Sequence, residues 1–192
     1  MDHFKLTDGI LHAEDVPLPT IAQEVGTPVY VYSRATLERH ARVFREGLGE
    51  LDNPLILFAV KANPNLAVLR VLQREGFGAD VVSGGELRRA LAAGMTPDKI
   101  VFSGVGKTRA ELELGLDTGI AQFNIESREE GRELAELAAA RGEKARCALR
   151  INPDVDAGTH EKISTGKADN KFGVPLHHAA DAFAELAALD GL

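Results

Sequence analysis

The chain has 192 residues, 44% hydrophobic and 27% charged, with 29 acidic against 22 basic side chains and a formal net charge of −7. This is the balance of a globular protein with one sizeable core. An acidic chain without a run of Lys and Arg repels phosphate backbones, so nucleic acid is excluded as an expected partner. The opening MDHFKLTDGI has no basic stretch leading into an apolar one, and no later apolar run is long enough to span a bilayer. No membrane partner is therefore expected, and the cytoplasm is the expected compartment.

In chain order, Leu37, Ala41, Phe44 and Leu48 mark a first helical stripe. Short β-prone runs then alternate with helical patterns: LILFAV at 55–60, ADVV at 79–82, IVFS at 100–103, AQFNI at 121–125 and CALRI at 147–151. That alternation predicts parallel βα units. Three of the intervening helices carry the same start signal, a Ser or Thr followed three positions later by Glu, in Ser83 with Glu86, Thr108 with Glu111 and Ser127 with Glu130. Leu87, Ala90 and Leu91, then Leu134, Leu137 and Ala138, give the core faces, and Gly76, Gly94 and Gly142 stand where helices end. The strand interval of roughly 20 to 25 residues suits an eight-stranded barrel or an open doubly wound sheet, and does not choose between them.

A polar stretch of roughly twenty residues from Asn152 to Val174 breaks the pattern after a strand's C-terminal end, where parallel α/β folds bind ligands. A last amphipathic stretch is predicted to bury Leu176, Ala180, Phe183 and Ala187. Cys147, the single cysteine, sits in an apolar run and reads as a small hydrophobe rather than a redox or metal group.

Several residues are candidates for chemistry. Lys61 interrupts LILFAVKANPN where a strand should emerge; a partly desolvated amine there has the nucleophilicity a Schiff base needs, although a lysine that merely ends a strand gives the same pattern. Asp80 is a carboxylate in the next strand, readable as a site group or a plain turn residue. Arg150 interrupts an apolar strand, either to hold a cofactor or carboxylate or to form a buried ion pair. Ser83 and Glu86 are accounted for by helix capping. SGVGKT fails as a phosphate loop, because Val101 stands where the first glycine is required. Asp154 and Asp156 lack the rest of a calcium loop, and His177 and His178 lack companion ligands, so no metal is expected.

FAVKANPN resembles the cofactor-lysine segment of the barrel-type, alanine-racemase-like pyridoxal enzymes. GADVVSGGELRRALAAGM, IVFSGVGKTRAEL, FNIES, LRINPDVDAGTHEKISTG and NKFGV follow in the order and spacing of diaminopimelate decarboxylases, so the resemblance covers nearly the whole chain. It implies an α/β fold, a (β/α)8 TIM-type barrel of which about the first five strands are present, over residues 34–192, with residues 1–33 beginning a β-rich accessory domain. It implies pyridoxal 5'-phosphate as cofactor, attached to Lys61 and lined by Asp80 and Arg150. His160, Thr165, Gly166 and Lys171 would belong to a loop near the site or the dimer contact. The implied reaction is decarboxylation of meso-diaminopimelate to L-lysine by a homodimer acting on a small amino-acid substrate. Sister decarboxylases of ornithine, arginine or carboxynorspermidine, a racemase, and a non-catalytic interaction module built on the same fold are the competing readings. Other implied site groups, including the phosphate-binding glycines and the partner of the pyridine nitrogen, would lie beyond Leu192, so the 192 residues alone are expected to be inactive.

Overall fold

The computed structural model describes residues 2–153 and 172–192. An antiparallel meander opens the chain, with β1 (Phe4–Thr7), β2 (Ile10–Ala13) and β3 (Val16–Pro17). It runs into α1 (Leu18–Val25) and then α2 (Arg34–Gly47). Glu14, in the turn between β2 and β3, accepts from the Ser33 hydroxyl at 2.8 Å and the Ala35 amide at 2.9 Å. These bonds fasten the meander to the start of α2, and with the Ala35 amide contributing most they hold the Glu14 carboxyl below its usual range.

The βα units follow: β4 (Leu57–Ala59), α3 (Leu66–Arg74), β5 (Gly78–Val81), α4 (Gly84–Ala92), β6 (Ile100–Phe102), α5 (Arg109–Thr118), β7 (Gln122–Ile125), α6 (Arg128–Ala140) and β8 (Cys147–Leu149). The five strands are parallel and lie side by side in sequence order. An order that never reverses keeps every crossover on one face, and the helices do pack successively, α2 on α3 through α6 on α7 (Leu176–Ala187). The winding is that of a barrel rather than a doubly wound sheet.

Strand alternation assigns the two faces of the sheet. Ala79 and Val81, Ile100 and Phe102, and Phe123 and Ile125 are buried in the core cluster with Leu69, Leu87, Leu112 and Leu134 from the helices. Asp80 and Asn124, lying between these apolar residues in sequence, face the other side.

The helix starts form largely as the sequence predicts. Ser83, Thr108 and Ser127 each accept from the amide three residues on. Only Thr108 with Glu111 closes the reciprocal box. The Glu86 carboxylate takes the Val82 amide instead, at 2.9 Å, and Glu130 turns inward to a buried lysine. Gly76, Gly94 and Gly142 all leave their helices at positive φ.

Two predicted faces need correction. In α2 only Ala41 of the stripe is buried, and Phe44 is 57% exposed. In α7 the buried side is Ala179, Ala182 and Leu186, whereas Leu176, Ala180, Phe183 and Ala187 face outward. The CALRI run is divided at Arg150 into β8 and a two-residue strand β9 (Ile151–Asn152), which pairs in parallel with β10 (Val174–Pro175). Val174 thus belongs to a strand rather than to the predicted polar stretch. Cys147 is half-buried against the core, and burial pushes its thiol up.

Candidate active site

Where β4 ends, the chain tightens into a single 3-10 turn, Val60–Ala62, with Val60 fully buried beneath it and Lys61 turned outward. The apolar residue anchors the turn and its neighbour is presented to the opposite side. Lys61 is thus two residues past the strand and exposed, which corrects the expectation of a partly desolvated amine at the strand's tip. It stands at the C-terminal end of the sheet on the rim of a cavity of about 690 Å³.

The same cavity receives Asp80 from β5, Ser103 and Gly104 from the segment after β6, Asn124 and Glu126 from β7 and its exit, and Arg150 after β8. Five successive strand ends therefore converge on one hollow, the arrangement that lets a barrel of parallel strands gather a site from distant sequence. A hydrogen-bonded chain crosses its wall. Gln122 Nε2 donates to Asn124 Oδ1 at 2.7 Å, Asn124 Nδ2 donates to Ser103 Oγ at 2.9 Å, and the Ser103 hydroxyl donates to Asp80 Oδ1. One oxygen of Asp80 is thereby fixed across three strands.

Arg150 lines the cavity and forms an ion pair in which the carboxylate is buried while the guanidinium is 38% exposed. Its Nη1 donates to Glu126 Oε1 at 2.8 Å, and its guanidinium lies 5.1 Å from the centre of the Phe172 ring. The Glu126 side chain is 3% exposed, and its Oε2 has no partner among the described residues. A buried carboxylate oxygen without a donor is costly, and one that borders a cavity is suited to a ligand that supplies an N–H or O–H.

Lys61, Asp80 and Arg150 are thus brought together. His160, Thr165, Gly166 and Lys171, like Asp154 and Asp156, lie outside the described residues. His177 and His178 are exposed in the first turn of α7, and no group of three or more metal-ligating side chains occurs among the described residues. Sequence reasoning missed Ser103, Asn124, Glu126 and Phe172. The signal for two of them was present: in QFNIE the polar Gln122, Asn124 and Glu126 alternate with Phe123 and Ile125, which marks one polar strand face.

A pyridoxal cofactor makes specific demands of the residues that hold it. A primary amine at the rim is the group that condenses with an aldehyde. The cavity falls within the usual range for small-molecule sites, roughly 300–1,000 Å³. Glu126, whose Oε2 has no partner among the described residues, and Arg150 both line this cavity and bring an acceptor and donors to it, so the residues fit the group.

Parallel βα units wound in one direction, with an amine, a fixed carboxylate and a guanidinium at the strand ends, suit an enzyme of the barrel-type pyridoxal class. Residues 34–192 match the family model for the pyridoxal-binding domain of pyridoxal-dependent decarboxylases, and the chain belongs to that family. The cofactor of the family is pyridoxal phosphate. The chain is 53% identical over 191 residues to the diaminopimelate decarboxylase of Zymomonas mobilis, covering 98% of this chain and 45% of the relative. With the Vibrio cholerae diaminopimelate decarboxylase it shares 54% over 184 residues, 95% of this chain and 44% of the relative. Among solved structures, the M. jannaschii diaminopimelate decarboxylase in co-complex with L-lysine superposes with a TM-score of 0.87 at 35% identity, covering 100% of this chain and 46% of that one. The chain thus spans a little under half the length of the relatives it matches.

Proposed function

We propose that this chain supplies the cofactor-binding first part of the barrel of a diaminopimelate decarboxylase, a carboxy-lyase that releases carbon dioxide from meso-diaminopimelate to give L-lysine. The observation that carries this reading is the convergence of Lys61, Asp80 and Arg150 on one cavity at the C-terminal ends of neighbouring parallel strands. The kinship with diaminopimelate decarboxylases at about half identity supports the choice of substrate.

Pyridoxal phosphate, when bound, supplies an electron sink for the pair left at Cα as the carboxylate departs. The chain's own residues bind and orient. Lys61 holds the cofactor through Nζ. Asp80, immobilised by Ser103 and Asn124, presents its second oxygen at a fixed place in the cavity. Arg150 is held by Glu126 and bordered by Phe172, and its remaining N–H groups can meet an anionic group of the ligand.

Residues 1–33 are read as part of a β-rich accessory domain. The exposure of Leu6, Val25 and Tyr30, the last at 89%, is what such a surface would need in order to pack against further β structure. The complete enzyme is read as a cytoplasmic homodimer.

The test is Lys61→Ala in the protein at its natural length. The parent, reduced with borohydride in the presence of pyridoxal phosphate, is expected to carry the cofactor's mass on the peptide containing Lys61; the variant is expected to carry none and to lose turnover. Carbon dioxide release is then compared across meso-diaminopimelate, ornithine and arginine. Turnover confined to ornithine or arginine would reassign the substrate, and cofactor attachment unaffected by Lys61→Ala would sink the reading.

A further inference from the structure

Bonded to the backbone of two cavity-lining residues, Gly104 and Asn124, is a second charged cluster that the binding residues do not include. The Lys107 side chain is 1% exposed, and Glu130, with a side chain 8% exposed, takes its ammonium at 2.6 Å. The same Nζ donates to the carbonyl of Gly104 at 2.8 Å and to the carbonyl of Asn124 at 2.7 Å. An ammonium has three hydrogens, and all three are used. Burial pushes the Glu130 carboxyl up, opposed by the lysine beside it.

A buried ion pair by itself contributes little net stability, since taking two charges out of water offsets most of their attraction. What distinguishes this one is where its other two bonds go. Gly104 stands in the segment after β6 at φ 91°, a conformation few other residues adopt, with no helix or strand bond to hold it there. Asn124 is the β7 residue whose amide reaches Ser103, and Ser103 in turn holds Asp80. Lys107 therefore joins the β6 segment to β7 through the backbone of Gly104, the residue next to Ser103, and of Asn124; Ser103 and Asn124 are the two residues whose side chains fix the Asp80 carboxylate.

We infer that Lys107 is a positioning residue for the cofactor site: by clamping the Gly104 and Asn124 carbonyls it sets the Ser103–Asn124 pair, and through it the place of Asp80. Glu130 serves as the counter-charge that lets the clamp be buried. The inference rests on the assignment of this cavity to the cofactor.

The experiment separates clamping from simple stabilisation by using two variants in the protein at its natural length. Lys107→Met leaves Glu130 as an uncompensated buried carboxylate. Lys107→Met together with Glu130→Met removes both charges and leaves none buried alone, so its melting temperature should lie within roughly 5 °C of the parent. A purely structural role predicts that cofactor affinity recovers along with the melting temperature. The clamp predicts that it does not: the dissociation constant for pyridoxal phosphate, followed by the visible absorption of the bound cofactor, should stay about tenfold weaker in the doubly apolar variant, because both carbonyls remain untethered. Parent-like affinity in that variant overturns the inference. Should the double variant fail to fold, Lys107→Gln decides, since its amide can still donate to one or both carbonyls. Intermediate affinity supports the clamp, and unchanged affinity with a lowered melting temperature overturns it. A parent that binds no pyridoxal phosphate, or a Lys61→Ala variant that retains it covalently, overturns the cofactor assignment itself, a result visible without any change at Lys107.

Discussion

Glu111 shows how a single carboxylate can serve two elements. Its Oε2 accepts from the Thr108 amide and hydroxyl, both at 3.0 Å, while Oε1 accepts from the Gly84 amide at the start of α4, at 2.7 Å. These donors, Gly84 first, hold its carboxyl below the usual range. A depressed folded value means that the stabilisation is complete above the unfolded carboxylate value, about 4.3, and is lost as pH falls through the folded one. Glu111→Gln is therefore expected to cost about 1 kcal/mol near neutral pH, a modest figure because the group is only partly buried, with the deficit shrinking towards pH 3. Urea midpoints of parent and variant at both pH values check this, and an equal deficit at the two would refute it. The reciprocal box was legible from T-x-x-E alone. The bond to Gly84 was not, because it depends on which helices become neighbours. The same limit hid the Arg150 partner: an arginine in an apolar run announces that a carboxylate is needed, and only the fold reveals that Glu126 supplies it.

At the scale of elements, the sequence located all five parallel strands and their helices, because buried strands in LILFAV or IVFS leave little else for such runs to be. It misread α7, and the reason is compositional. LHHAADAFAELA has apolar residues on two sides, and the larger ones, Leu176 and Phe183, drew the prediction. The side that packs carries Ala179 and Ala182, small enough for α6 to come close. Gly131 of α6 marks that approach, since a methyl group added there would sit 2.6 Å from Leu186 Cδ2 and 2.9 Å from Leu186 Cδ1. Gly131→Ala should gain about 1 kcal/mol in helix propensity yet lose more to overpacking, giving a net loss of about 1 kcal/mol. In a Leu186→Ala background the obstruction is gone, and the same change should stabilise by about 0.5–1 kcal/mol. Chemical denaturation of the four proteins in the cycle checks the reversal of sign, and additive effects would show that the two helices do not meet as described.

For the molecule as a whole, the order of the strands is what makes a site. Five strands wound in one direction bring their C-terminal ends together, and the alternation of each strand sends apolar residues to the helices and Asp80, Asn124 and their neighbours to the cavity. The charges there nearly cancel. Lys61 and Arg150 face Asp80 and Glu126, and Arg150 is already engaged by Glu126. A ligand carrying a phosphate and a carboxylate thus meets, among the described residues, little positive charge that is not already used. An exposed Lys61 on an open rim also leaves the proposed cofactor-binding amine accessible to water. Both features argue that residues 1–192 by themselves attach the cofactor poorly and position the substrate less well still. Purified residues 1–192, assayed for carbon dioxide release from meso-diaminopimelate beside the full-length Zymomonas mobilis relative, should be slower by roughly a hundredfold or more, the loss that follows when reacting groups are not held in register. Comparable rates would mean that the hollow at these five strand ends already contains everything decarboxylation requires, and that its balance of charge is no obstacle to binding an anion.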